Sequence, residues 1–78
     1  MTEKQDAEIR LGKAAEIFLN NDATQQAFLL MQADIISGWR QAASQEDRER
    51  YWCLDQHLDE FKRKLALFVS NGKVAAIT

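Results

Sequence analysis

Proline is absent from this 78-residue chain, glycine occurs three times and cysteine once. A chain without proline and rich in Ala, Leu, Gln, Glu, Lys and Arg favours helix and has few residues for turns, so almost no strand is expected. Cys53 is the single cysteine, which excludes an intrachain disulfide framework and fits a reducing cytosol. Long apolar runs are also missing. The longest stretch of large apolar residues is 28–31, too short to enter a membrane, and polar residues 1–6 do not read as a secretory signal. Charge of one sign is lacking too: 10 basic and 12 acidic residues are interspersed, for a net charge of −2 and no electrostatic drive toward nucleic acid. A 9.0 kDa chain buries only about 60% of its unfolded surface. Small folds recover stability from disulfides, metals or association, and only association is left here.

What is present is helical periodicity, cut by polar stretches at residues 20–22 and 44–47. The first segment, about residues 3–19, places Ala7, Leu11, Ala14, Ala15 and Phe18 on one stripe, with Gly12 weakening its middle. Asp22 with Gln25 is the expected N-cap pair of the second segment, residues 23–43. There Phe28, Met31, Ile35, Gly38 and Ala42 form the expected core stripe, and Gly38 and Ala42 would let a neighbour approach closely. Ser44 with Asp47 repeats the cap signal and marks a hairpin bend. In the third segment Tyr51, Leu54, Leu58, Phe61, Leu65 and Phe68 step by three and four, a narrow seam suited to a partner helix. From residue 45 to about 70 that helix would be roughly 39 Å long, with Gly72 ending it in a left-handed conformation. One helical domain over residues 1–78 is expected, with a loose start at 1–6 and a loose tail at 74–78.

Candidate chemistry is sparse. Cys53 and His57 share a helix face at i, i+4, but two ligands do not complete a zinc site and adjacent turns of one helix provide no oxyanion hole. They read as a half-buried thiol beside a polar-rim imidazole, so no catalytic residue, metal or cofactor is expected. Asp59 with Arg63 and Glu60 with Lys64 read as ion pairs on a solvated face. Trp39, Tyr51 and Trp52 flank the bend and should meet when the helices fold back. They would form either a plug that fixes the bend or, at Trp52, an exposed anchor for a partner.

The succession Phe18-Leu19-Asn20-Asn21, Ala27-Phe28, Trp39, Arg48-Glu49-Arg50-Tyr51-Trp52, Leu58, Leu65 and Asn71-Gly72-Lys73 resembles a family of short uncharacterised tailed-bacteriophage proteins, often encoded among head and DNA-packaging genes. The likeness covers about residues 14–75 and rests on helix caps and core positions, while the proline common before the first apolar helix is missing. It implies a phage origin and a helical hairpin, and carries no catalytic residues.

The expected fold is therefore all-α, a helical hairpin or small three-helix bundle, oligomerising through its long C-terminal helix. The expected function is a non-enzymatic interaction module in particle assembly or DNA packaging, located in the host cytoplasm or on the virion. Its interface would comprise Trp39, Tyr51, Trp52, Leu54, Leu58, Phe61, Leu65 and Phe68, binding a second copy and another protein, and Leu58→Asp would break the assembly. Two alternatives stand beside it. One is an inhibitor of a host or defence enzyme, such as a nuclease or CRISPR complex, presenting Glu46, Asp47, Asp55, Asp59 and Glu60; the other is a DNA-binding packaging or regulatory protein.

Overall fold

The computed structural model describes residues 2–77, and among them it contains three α-helices and no strand: α1 (Glu3–Asn20), α2 (Asp22–Gln41) and α3 (Gln45–Ile77). The all-α expectation holds. Helix extends into both end segments, 1–6 and 74–78. Thr2 caps α1: its Oγ1 accepts the Gln5 N–H at 3.1 Å, while Gln5 Oε1 accepts the Thr2 N–H at 2.9 Å. Glu3 and Asp6 then face the positive end of the helix dipole, and residues 3–6 form the first turn of the helix. At the other end α3 passes through Gly72, which has no positive φ and does not terminate it, and takes in residues 74–77 of the expected tail. Met1 and Thr78 lie outside the described residues.

The joint between α1 and α2 is a single residue. Asn21, not Asp22, is the N-cap of α2, its Oδ1 accepting from Ala23 N–H at 2.9 Å and Thr24 N–H at 3.2 Å. Its own N–H reaches back to the Phe18 carbonyl at 3.3 Å, so the same residue closes α1 and opens α2. Asp22 is instead the first helical residue, where its charge suits the dipole. Asn21→Ala should cost about 1 kcal/mol, and melting followed by circular dichroism should show a drop of roughly 4–8 °C. An unchanged midpoint would mean that water replaces the cap without loss. Ser44 caps α3 as expected, its Oγ accepting from Asp47 N–H at 3.1 Å.

The two helices joined by Asn21 act as consecutive pieces of one arm. Gly12 lies against Gly72 and the Phe68 carbonyl, Phe18 and Phe28 both meet Phe61, and Gly38 packs on the Tyr51 ring. Advancing from residue 12 to 38 thus retreats along α3 from residue 72 to 51, which makes both α1 and α2 antiparallel to it. α1 continues the line of α2 and does not cover the hairpin. The three helices come together at Phe18, Phe28 and Phe61, whose rings pair edge-on at centroid separations of 6.1–6.5 Å. Elsewhere along α3 two helices lie side by side, and the molecule measures 55 × 24 × 14 Å.

The inward stripes differ from those read in the sequence. In α1 the buried residues are Gly12 and Ala15, with Glu8, Ile9 and Leu19 half-buried, while Ala7, Leu11, Ala14 and Phe18 are exposed. In α2 the half-buried positions include Phe28, Gln32, Ile35 and Gly38, followed by the C-cap residue Ala42, so Gln32 takes the place expected for Met31. In α3 the stripe runs Tyr51, Asp55, Leu58, Lys62, Leu65, Phe68, Val69, Gly72 and Ala75. The reason lies at Gly12 and Gly72. Two glycines facing each other allow the helix backbones to touch, and that contact fixes the rotation of α1 and turns its larger apolar residues sideways.

Candidate functional site

Few apolar side chains are buried. Among the described residues these are Ala15, Leu58 and Ala75, and no large side chain is fully enclosed. The outward-turned residues collect on the two broad sides of the hairpin, and these sides are the candidate site.

One side is a continuous apolar face. Leu54, Phe61 and Phe68 recur every seven residues along α3, as do Leu11 and Phe18 along α1, and residues so spaced lie on one side of a helix. The Phe18–Phe61 ring contact puts both rows on the same side of the molecule. Leu54 is 45% exposed and Phe61 49%. At about 100° per residue, Leu30 of α2 lies roughly 180° from Trp39, and Met31 roughly 140° from Ile36 and 80° from Trp39 across the half-buried stripe, so the two border this face. Both are exposed.

The opposite side carries a groove of about 310 Å³ lined by Ile35, Ile36, Trp39, Tyr51, Trp52 and Asp55. The three aromatic residues flanking the bend do come together, as expected from the sequence. They do not make a sealed plug, since Trp39 is 50% and Trp52 60% exposed. The two indoles line an open apolar groove with one carboxylate beside it. Farther along this side Lys62 places its Nζ 5.5 Å from the centre of the Phe28 ring, covering the aromatic cluster with a cation.

The residues expected to form one interface therefore serve different purposes. Leu58 is 7% exposed and belongs to the core of its own chain, so it is not available as an interface anchor. Tyr51, Leu65 and Phe68 are half-buried against α1 and α2, while Leu54 and Phe61 lie outward on one side and Trp39 and Trp52 on the other. The narrow seam is mostly used within the chain. Its flank, Leu54 and Phe61, is what remains for another molecule. Sequence reading placed Leu11, Phe18 and Met31 in the core, although the matching intervals of seven in α1 and α3 already carried the signal of a shared outer row.

The charged groups match their expected pairing. Arg63 Nε lies 2.9 Å from Asp59 Oδ2 and Lys64 Nζ 3.9 Å from Glu60 Oε1, both on the solvated face, where such pairs aid solubility more than stability. Two of the acids an inhibitor would present are thus partly neutralised by their neighbours. Cys53 is exposed, not half-buried. Among the described residues no group of three or more His, Cys, Asp and Glu side chains is placed to hold a metal ion, and no helix is long and apolar enough to cross a membrane.

Fold and surface together define an all-α hairpin with uncovered apolar sides. Compared with known proteins, the chain matches no family model, no curated protein and no solved structure.

Proposed function

We propose that this protein is a non-enzymatic interaction module whose apolar sides are completed by other chains. One observation carries the reading. The chain exposes 6164 Å² of surface, whereas a compact monomer of 9.0 kDa would expose roughly 4,900 Å². Its Cα radius of gyration, 16.6 Å, likewise exceeds the roughly 11.5 Å of a globular chain this long. An elongated chain that leaves Leu11, Phe18, Met31, Leu54 and Phe61 exposed side by side presents apolar surface of the kind that binds.

The groove walled by Trp39 and Trp52 suits an apolar anchor from a second protein, because half-exposed indoles with one carboxylate at the edge provide both area and orientation. With the resemblance of its sequence to short phage proteins, we extend the proposal to a role in particle assembly or DNA packaging, within the host cytoplasm or on the virion. The evenly mixed surface charge gives less support to the DNA-binding alternative.

Light scattering and binding of a hydrophobic dye such as anilinonaphthalene sulfonate, measured on the same folded sample across a concentration series, test the reading. The expected result is assembly, dye binding by the free chain, or both. A folded chain that stays monomeric and binds no dye has no free apolar side, and would sink the interaction reading altogether.

A further inference from the structure

We propose that the face formed by Leu11, Phe18, Met31, Leu54 and Phe61 is covered by a second copy of this chain, stacked face to face. This rests on the interaction reading and names the occupant of one of its two sides. The first support is architectural. Stable domains bury helix faces between at least two layers, whereas along most of α3 this molecule is a single layer of two helices. Two copies stacked on this face would give a four-helix cross-section, the smallest arrangement that encloses an apolar core between antiparallel pairs.

The second support is area. The excess exposed surface is about 1,300 Å² per chain over a compact monomer, shared among all its exposed sides, so about 2,600 Å² in total is the upper bound on what a pair of chains would bury by removing it. Obligate homodimers bury roughly 2,000–5,000 Å², and the excess is of that size.

The third support is the contrast between the two sides of α3. On the proposed face the positions seven apart are Leu54, Phe61 and Phe68; on the other flank they are Asp55, Lys62 and Val69. Covering the second flank flatly would strip water from a carboxylate and an ammonium, one of which already lies over the Phe28 ring. Along the first flank's own row no charge occurs, and the charges one turn away, Asp34 beside Met31 and Lys64 beside Phe61, are exposed and can stay in water. An isologous dimer places the same patch on both partners, which suits rows of leucine and phenylalanine with no charge among them.

The test is molar mass by size-exclusion chromatography with light scattering over a dilution series, on the full chain and on variants of each side. The expected mass is twice 9.0 kDa. Leu11→Lys combined with Leu54→Lys should weaken the dimer by roughly a hundredfold or more while helical circular dichroism is kept, because two interface leucines are lost and like charges face each other. Met31→Lys gives a milder disruption if the double variant does not fold. Ile36→Lys, on the groove side, should leave the dimer intact. A monomer at every concentration overturns the proposal, as does a dimer indifferent to the Leu11, Leu54 and Met31 changes or dissociated by Ile36→Lys instead. These failures are separable from failure of the broader reading: a monomer that still binds dye keeps its free apolar sides and needs a different partner, and a dimer joined elsewhere remains an assembly.

Discussion

Leu58→Asp should unfold the isolated chain, seen as loss of the helical circular dichroism signal at every protein concentration. Leu58 lies near the middle of α3, and Ala15 and Ala75 are the other buried apolar side chains among the described residues. Truncating a buried leucine costs about 2–5 kcal/mol, and an unpaired carboxylate in its place adds the penalty of leaving water. A single thin core of this size rarely supplies more than about 3–5 kcal/mol, so the loss equals or exceeds the whole margin. The outcome differs from that expected of an interface residue, whose substitution would separate copies and leave each one helical. A well-folded Leu58→Asp variant would show that position 58 faces outward and that the stripe of α3 is assigned wrongly.

Gly12→Val is expected to lower the melting temperature by roughly 10–20 °C, the equivalent of about 2–3 kcal/mol for a domain this small. A Cβ at residue 12 would come within 2.8 Å of the Phe68 carbonyl oxygen and 3.0 Å of the Gly72 Cα. Both are backbone atoms, so no rotamer change relieves the clash and α1 must move away from α3. Gly38→Ala supplies the contrast. A Cβ there would run into the Tyr51 ring, closer than any contact at residue 12, but the obstacle is a half-buried side chain and not backbone, so the ring must swing away while replacing a helix-interior glycine recovers up to about 1 kcal/mol of helix propensity. Gly38→Ala should therefore lower the melting temperature by less than Gly12→Val does, with the Tyr51 ring displaced from its place beside Trp39 and Trp52. An unchanged melting temperature for Gly12→Val would mean that the α1 and α3 backbones are not in contact.

The helices and the bend were legible because their signals are local. The Ser44 cap, the absence of proline and the three-and-four spacing of apolar residues act within a few residues of one another, and the structure follows them at α3 and at the bend. Asp22 was the expected cap and Asn21 is the actual one, since either side chain can accept the free N–H groups and the cap is the residue whose backbone is extended between the two helices. The rotation of each helix was hidden for a different reason. An amphipathic stripe more than 100° wide admits several orientations, and the contact of Gly12 with Gly72, remote in sequence, selects one. A glycine in a helical segment reads as a weak point when its partner is unknown. Once paired, the same residue is the tightest contact between the helices, and it explains why Leu11 and Phe18 are turned out of the core. The aromatic meeting at the bend was readable because a short connection leaves Trp39, Tyr51 and Trp52 little choice of neighbour.

The order of pairings along α3 also gives the chain a direction of closure. Gly38 and Tyr51 stand close together in sequence, on either side of the bend, and bringing them together costs little loop entropy. Phe28 and Phe61 come next, and Gly12 and Gly72 join residues near the two ends of the chain. Each pairing shortens the loop that the following one must close, so the molecule can zip from Ser44 outward with no long-range step taken all at once. The same geometry makes the open end, where the first turn of α1 meets the last turns of α3, the last part to close and the first to fray.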